Sequence, residues 1–228
     1  MKQLSLTGNQ LKIIALLCMT VDHAGLYLFP QAGWMRLVGR LAFPIYAYMI
    51  AEGCRHTRSM GRYLGTMAAV AAMCQVVYFV ALGSVYQCIL VTFSLSVSLI
   101  WLVQNAHRRQ TAGAWAWVAM GIAAVFCITE LLPRLLAATD FAVDYGFWGV
   151  MLPVLVYLGK TGKERLLLSA VCLTVMAANS SAIQFGALLA LPLLALYNGQ
   201  RGKKKLKYLF YIYYPAHIVL FFFIAYLL

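Results

Sequence analysis

The stretch YLGTMAAVAAMCQVVYFVAL, from Tyr63 to Leu82, runs for 20 residues without a charged side chain. About 20 apolar residues in a helix cross the ~30 Å hydrocarbon layer of a bilayer. The composition agrees, because 64% of the 228 residues are hydrophobic and only 11% are charged, against about 25% charged in a typical soluble domain. The sequence therefore predicts an integral membrane protein and excludes a soluble globular domain.

Eight further apolar windows accompany this stretch, and together they predict an all-α, polytopic membrane bundle of about nine transmembrane helices. The windows are 11–29, 34–51, 63–82, 86–105, 112–132, 142–159, 166–178, 182–198 and 208–228. The window 166–178 is short for a full crossing, so it is expected to be tilted, thinned or partly re-entrant. A single domain is expected over residues 1–228.

Lysine and arginine residues cluster in every second connection between these windows. Fifteen of the 18 lie there, namely Lys2, Lys12, Arg55, Arg58, Arg62, Arg108, Arg109, Lys160, Lys163, Arg165, Arg201, Lys203, Lys204, Lys205 and Lys207. Basic residues mark the cytoplasmic loops of membrane proteins, so the N-terminus is predicted to be cytoplasmic and Leu228 to end on the far side. The net charge of +12 then indicates topology and contact with anionic lipid headgroups rather than a nucleic-acid partner.

Ionisable side chains inside or at the ends of the apolar windows are the candidates for chemistry. They are Asp22, His23, Arg36, Arg40, Glu52, Glu130, Asp144 and His217. An ionisable group at mid-depth in a bilayer costs at least ~2.5–3.5 kcal/mol to insert and is by default a functional candidate. The cysteines and histidines lack the spacing of a metal site or a disulfide framework, so no metal is expected.

Helix rise places three of these candidates at similar depths. At ~1.5 Å per residue, His23 lies roughly 18 Å above the cytoplasmic start of the first window, and Arg40 lies roughly 21 Å above the same face. His217 lies about 13–14 Å above the start of the last window. The three side chains are therefore expected to come within reach of one another if their helices are neighbours.

Asp22 and His23 are adjacent in the sequence and point about 100° apart on a helix. They are not expected to pair with each other. Asp22 is instead expected to pair with Arg40, while His23 projects into a cavity as a neutral imidazole suited to accept a proton. A purely structural salt bridge and a hydrogen-bonded bundle histidine are the alternatives for these residues.

Prolines interrupt the two windows that carry the other candidates. Pro44 follows Arg40, and Pro215 lies between Tyr214 and His217. Each proline removes a backbone hydrogen bond and is expected to distort its helix. Tyr214 and His217 are three residues apart and share one face of a helix. A pocket is therefore expected between the first, second and last windows.

Several segments in combination resemble the TraX family, membrane proteins named for N-terminal acetylation of F-type conjugative pilin. The segments are Leu11–Gly25 (LKIIALLCMTVDHAG), Gly39–Tyr46 (GRLAFPIY), Glu52-Gly53, Thr57, Val91–Phe93, Asp144–Gly146 with Gly149, Tyr197–Gly199 and Tyr213–His217 (YYPAH). That family is distantly similar to transmembrane acyltransferases, including the acyltransferase-3 enzymes and heparan-alpha-glucosaminide N-acetyltransferase. The resemblance covers nearly the whole chain and implies a multi-pass protein of the bacterial inner membrane.

The resemblance implies an acetyl-CoA-dependent N-acetyltransferase that takes acetyl-CoA from the cytoplasm and acetylates a pilin N-terminus, a small amine or a glycan. His23 is expected to be the general base, oriented by Asp22 and Arg40. Tyr214 or His217 is expected to donate to the developing oxyanion or to return a proton to the leaving thiolate. The acetyl-CoA phosphates are expected to bind the cytoplasmic cations Lys12, Arg55, Arg58 and Arg62.

Two other functions fit the same residues. A small proton-coupled transporter would use Asp22, His23, Arg40 and His217 as a substrate path. The sequence lacks the pair of matching halves that many transporters carry, which counts against this function. An assembly factor that binds pilin without chemistry would need no buried histidine.

Overall fold

The computed structural model describes residues 5–203 and 206–227, so the predicted topology residues Lys2, Lys204, Lys205 and Leu228 lie outside the described residues. The helices are α1 (Gly8–Tyr27), α2 (Gly33–Gly39), α3 (Ala42–His56), α4 (Met60–Leu82), α5 (Ile89–Arg109), α6 (Ala112–Phe126), α7 (Leu132–Leu135), α8 (Gly146–Leu158), α9 (Gly162–Ala178), α10 (Leu191–Ala195) and α11 (Lys207–Leu227). A π-helical turn, Cys127–Leu131, joins α6 to α7, and a 3₁₀ helix, Ala182–Ala190, runs directly into α10.

All nine predicted windows coincide with helical structure, which confirms the all-α class. Among the described residues, three helices are both long and apolar enough to cross a membrane, namely Met60–Leu82, Ile89–Arg109 and Ala112–Leu135. Shorter apolar helices occupy Gly146–Leu158, Ala182–Ala195 and Ile212–Phe221. The chain is therefore a helical membrane protein.

Large apolar side chains lie exposed on the outer faces of many helices. Leu17 on α1, Val80 on α4, Leu167 on α9 and Phe223 on α11 are each more than half exposed, and Val80 reaches 77%. Exposed apolar surface of this extent needs a nonaqueous neighbour. Helices α1, α9 and α11 thus present the same kind of surface as α4, which meets the length and composition requirement for a membrane span.

The second predicted window is not one continuous helix. Helix α2 ends at Gly39, and α3 begins at Ala42 after a tight turn in which the Leu41 N–H donates to the Val38 carbonyl oxygen at 3.2 Å. Pro44 lies in the first turn of α3, where a missing N–H breaks no helical hydrogen bond. The predicted break in the second window is therefore confirmed, but it lies at Arg40–Leu41, and Pro44 follows it in the first turn of a new helix.

The chain forms two compact units. Unit 1 comprises residues 1–49 and 161–228, and unit 2 comprises residues 50–160. In unit 1, α1 packs against α2 and α11, and the 3₁₀ helix packs against α2 and α9. In unit 2, α5 packs against α4, α6 and α8.

A loop from the second segment of unit 1 holds the first turn of α1. The Gly8 N–H donates to the Gln200 carbonyl oxygen at 2.8 Å, and the Asn9 N–H donates to the Arg201 carbonyl oxygen at 2.9 Å. Gly202 has a φ of +93° in this loop, and a Cβ added to it would lie 3.1 Å from the Thr7 hydroxyl oxygen. The backbone conformation and the close approach both favour glycine at this position.

Two of the sequence candidates have clear partners inside unit 2. Glu130, in the π-helical turn, accepts a hydrogen bond from the Phe147 N–H at 3.1 Å, in the first turn of α8. A carboxylate is favourable at a helix N-terminus. Asp144 accepts a hydrogen bond from the Tyr86 hydroxyl at 2.8 Å, and its carbonyl oxygen accepts one from the Thr92 hydroxyl at 2.7 Å. Both acidic residues thereby stabilise the start of α8 and the loop before it.

The carboxylate of Asp140 joins two loops of unit 2. It accepts hydrogen bonds from the Ser84 hydroxyl at 2.5 Å and the Val85 N–H at 2.9 Å, and these bonds hold the pKa of Asp140 below its usual value. A carboxyl group with a lowered pKa stabilises the folded loops above its ordinary pKa of ~3.9, and the contribution is lost as the pH falls through the lower folded value.

We predict that Asp140→Asn speeds amide hydrogen exchange at Val85 at neutral pH, because the replacement lacks the charge that strengthens both hydrogen bonds. Exchange followed by mass spectrometry, with the wild type measured at every pH, is expected to show the difference shrinking in strong acid. A difference that is constant across pH would mean that the charge of Asp140 does not join the loops.

Candidate functional site

Two histidines from opposite ends of the sequence contact each other inside unit 1. His23 Nδ1 on α1 lies 2.6 Å from His217 Nε2 on α11, and the ring centroids are 4.8 Å apart. The His217 side chain is buried and that of His23 is partly buried. The structure thus brings together two of the predicted site residues on the first and last helices.

A second hydrogen bond joins α1 and α11 one helical turn away. The Tyr213 hydroxyl lies 2.6 Å from Thr20 Oγ1, which lies 2.8 Å from the Leu16 carbonyl oxygen. The single hydroxyl hydrogen of Thr20 is directed to that carbonyl, so Tyr213 donates to Thr20. The Tyr213 ring also stacks on His217, with centroids 5.0 Å apart and an interplanar angle of 10°. These contacts fix the register of α11 along α1.

Asp22 forms an ion pair with Arg36, and the predicted pair of Asp22 with Arg40 is wrong. Arg36 Nη1 lies 2.6 Å from Asp22 Oδ2 and 3.2 Å from the Asp22 carbonyl oxygen. The Asp22 side chain rests on the bare Cα of Gly39. Arg36 is three residues before Gly39 and shares that face of α2, whereas Arg40 directly follows Gly39 and points about 100° away.

Polar atoms near this ion pair remain without hydrogen bonds among the described residues. They are Asp22 Oδ1 and Arg40 Nε, and Gln184 Nε2 in the 3₁₀ helix has the same property. Arg40 is close enough to act electrostatically on the Asp22 carboxylate. Buried polar groups are nearly always satisfied in folded proteins. Unit 1 therefore offers one acceptor and two donors to water or to a bound polar molecule.

Two glycines allow α1 and α2 to approach closely. A Cβ added to Gly25 would lie 2.7 Å from the Met35 Cβ, and a Cβ added to Gly39 would overlap the Asp22 side chain. The contact between the helices is therefore made partly by backbone. This close approach positions the carboxylate of Asp22 and the guanidinium of Arg36 for their ion pair.

Tyr214 lies beside the histidine pair. Its side chain is 8% exposed, and its ring meets His217 edge to face with centroids 5.6 Å apart. Tyr214 and His217 thus share a face of α11, as their spacing predicts. Among the described residues, no group of three or more histidine, cysteine or acidic side chains could hold a metal ion.

Arg55 is engaged at the C-terminal end of α8. Its Nη2 donates to the carbonyl oxygens of Val156 at 3.0 Å, Gly159 at 2.8 Å and Tyr157, and its guanidinium lies over the Tyr157 ring. Its Nε is 3.6 Å from Glu52 Oε1. A guanidinium stabilises the last carbonyl groups of a helix. These contacts give Arg55 a structural role and leave the predicted phosphate contact to the other three cations.

The remaining predicted phosphate ligands lie near helix starts. Arg58 and Arg62 are exposed on either side of Ser59, which caps the N-terminus of α4 by accepting a hydrogen bond from the Arg62 N–H at 3.4 Å. Lys12 lies in the first half of α1, where its carbonyl oxygen accepts a 3.5 Å hydrogen bond from the Tyr46 hydroxyl. Cations next to a helix N-terminus favour anionic ligands.

Sequence reasoning missed Arg36 as the ion-pair partner and Thr20 as a contact of the last helix. The signals were present in the spacing. Thr20 precedes His23 by three residues and Tyr213 precedes His217 by four, so each pair shares one helix face. Two matched polar pairs on two helices predict a ladder of contacts between them.

Comparison with known proteins finds a family model and two related sequences. A family model described as "TraX protein" matches residues 7–225. The chain is similar to the probable fimbrial assembly protein FimC, serogroup H1, of Dichelobacter nodosus, with 27% identity over 244 aligned residues that cover 96% of each chain. An uncharacterized protein of Rickettsia prowazekii (strain Madrid E) is 47% identical over 38 residues, which are 17% of this chain and 15% of its own. No solved structure matches the chain.

We predict that Gly39→Ala destabilises unit 1 by about 1–3 kcal/mol, because the added methyl group overlaps the Asp22 side chain. Gly33→Ala is the matched control on the same helix, since nothing lies within 4 Å of its added Cβ. Thermal unfolding of the purified protein in detergent measures both variants. Equal unfolding midpoints for the two would contradict the close contact of α1 with α2.

Proposed function

The chain belongs to the TraX family, and from this membership we propose that it is an integral-membrane acyltransferase that transfers an acetyl group from acetyl-CoA to an amine. A relative that matches nearly the whole chain is named a probable fimbrial assembly protein, which makes a pilin N-terminus the first acceptor to test. Small amines and glycans are the other proposed acceptors. The proposal assigns residues 1–228 to one domain with about nine crossings of the bacterial inner membrane and a cytoplasmic N-terminus.

The observation that carries this proposal is the contact between His23 and His217 inside an apolar unit. His23 Nδ1 is held by His217, and His23 Nε2 makes no hydrogen bond among the described residues. An imidazole with one nitrogen held and the other available is suited to general-base catalysis.

The proposed reaction uses His23 to move one proton. The unprotonated amine nitrogen attacks the thioester carbonyl carbon, and the new N–C bond makes that nitrogen acidic. His23 Nε2 takes the proton from the nitrogen, the C–S bond breaks, and the thiolate sulfur takes the proton from His23. The products are the acetylated amine and the free thiol of CoA.

The negative charge that develops on the carbonyl oxygen needs a donor. Arg40 Nε is buried and has no hydrogen-bond partner among the described residues, which supports it as that donor. Tyr214, packed against His217, is the second proposed donor. A donor held in place before the reaction can contribute about 2.7–4 kcal/mol to the transition state. The ion pair of Asp22 with Arg36 is proposed to orient this part of α1.

The charged end of acetyl-CoA is proposed to stay at the cytoplasmic surface, because phosphates do not enter hydrocarbon. Two separate groups of phosphate ligands are proposed, namely Lys12 in unit 1 and the pair Arg58 and Arg62 in unit 2. The exposure of Arg58 and Arg62 supports this assignment, since a ligand can reach both side chains from the aqueous phase. Only the uncharged arm of the donor would then enter the hydrocarbon layer.

We predict that His23→Ala lowers acceptor-dependent release of CoA by about 10²–10⁴-fold, the usual contribution of a general base. His107→Ala is the matched control, because His107 is an exposed histidine in the last turn of α5 and is expected to be dispensable. The measurement uses purified protein, acetyl-CoA and a panel of amines that includes a pilin N-terminal peptide, with products identified by mass.

Two results would contradict the acyltransferase. One is wild-type protein that releases no CoA with any acceptor, and the other is His23→Ala that works as well as the wild type. Solute uptake into proteoliposomes that depends on His23, without release of CoA, would identify a transporter instead.

We predict that the double variant Arg58→Ala, Arg62→Ala raises the KM for acetyl-CoA about tenfold at low salt, because each charge-assisted contact to phosphate is worth about 1.5–3 kcal/mol before screening. The kcat is expected to stay unchanged, and the KM difference to shrink at high salt. Arg109→Ala, an exposed cation in a different connection, is the control. An unchanged KM in the double variant would rule out phosphate binding at these two residues.

A further inference from the structure

We infer that His217 is a positioning residue that fixes the tautomer of His23, so that Nε2 of His23 is the atom that accepts the substrate proton. We call the series formed by the Tyr213 carbonyl, His217 and His23 the relay. Its geometry depends on two hydrogen bonds, and its chemical role rests on the proposed function. This inference gives His217 a different task from donation to the oxyanion or the thiolate.

The relay begins at a backbone carbonyl of α11. His217 Nδ1 lies 2.8 Å from the Tyr213 carbonyl oxygen. A carbonyl oxygen can only accept a hydrogen bond, so His217 Nδ1 carries the hydrogen. In the neutral ring, His217 Nε2 then has a lone pair and can only accept. The backbone of α11 therefore sets the tautomer of His217.

The second hydrogen bond determines the tautomer of His23 on α1. The lone pair of His217 Nε2 faces His23 Nδ1 at 2.6 Å, so His23 Nδ1 must carry the hydrogen. His23 Nε2 is then left with the lone pair. The hydrogen bond at one ring nitrogen decides which form a histidine takes. The relay thus selects the tautomer of His23 in which Nε2 is the base.

Both nitrogens of His217 are occupied by these bonds, so neither can donate to a substrate while the relay is intact. When His23 Nε2 takes the proton from the amine nitrogen, every other hydrogen of the relay stays in place. The ring of His23 becomes positively charged, and its Nδ1–H bond to His217 becomes charge-assisted and stronger. His217 therefore also stabilises the charged form of His23 that the reaction needs.

Neighbouring aromatic rings hold His217 in the required orientation. Tyr213 stacks on one face of it, and Phe221 approaches it edge to face with centroids 6.2 Å apart. The Tyr213 hydroxyl is itself bonded to Thr20 on α1. A ring held in this way keeps its nitrogen aimed at His23, which is what a positioning residue requires.

The test compares two replacements of His217, of which one can accept a hydrogen bond from His23 and the other cannot. In His217→Gln, the side-chain oxygen can accept the hydrogen bond from His23 Nδ1, whereas His217→Leu has no acceptor. We expect His217→Leu to lower kcat by about 10²–10⁴-fold with an unchanged KM for acetyl-CoA, and His217→Gln to restore most of that loss. A structural role alone would not make the two variants differ while their unfolding midpoints agree.

A second readout does not depend on turnover. Nitrogen-15 NMR of histidine-labelled protein is expected to show His23 with its hydrogen on Nδ1 in the wild type and in His217→Gln, and to lose this single tautomer in His217→Leu. A wild-type His23 that carries the hydrogen on Nε2 would overturn the inference. So would wild-type turnover in His217→Leu. The two experiments can also give different answers. If the wild type shows the Nδ1–H signal of His23 but releases no CoA, the relay is supported and the acyltransferase is contradicted.

Discussion

Polar side chains that are partly buried on one turn of α1 have to be paired with other helices, and the rest of unit 1 depends on that constraint. Thr20, Asp22 and His23 each bond to a residue on α2 or α11. A buried polar group left without a partner costs about 1–3 kcal/mol, and a buried charge costs more. The same pairs that satisfy α1 therefore hold α2 and α11 in place, so that the candidate site and the packing of the helices are one set of contacts.

The helices could be predicted because apolar composition is a local property of the sequence. The position of the break between Gly39 and Ala42 could not, since the turn depends on how α2 packs. Pro44 was interpreted as an interruption because its position relative to a helix start is not visible in an apolar window. The 3₁₀ helix Ala182–Ala190 escaped prediction for a similar reason, because its apolar residues fit several helical geometries.

The candidate site likewise contains some contacts that the sequence predicts and others that depend on how the helices pack. Counting helix rise was enough to bring His23 and His217 together, because both positions depend only on distance along a helix. The partner of Asp22 depends instead on the rotation of α2 about its axis, which Gly39 sets through contact with α1. Spacing alone therefore favoured Arg40 over Arg36. The chain belongs to the TraX family, and the histidine pair adds a physical reason to look for chemistry.

The first helix of this chain is completed by residues that lie far from it in the sequence. The amides of Gly8 and Asn9 donate hydrogen bonds to the carbonyl groups of Gln200 and Arg201. The imidazole of His23 bonds to that of His217. A nascent chain on the ribosome therefore lacks these partners of α1 until residues 200–217 have been synthesised. A chain that stops before these residues would leave the first turn of α1 without its backbone partners and His23 without the imidazole of His217.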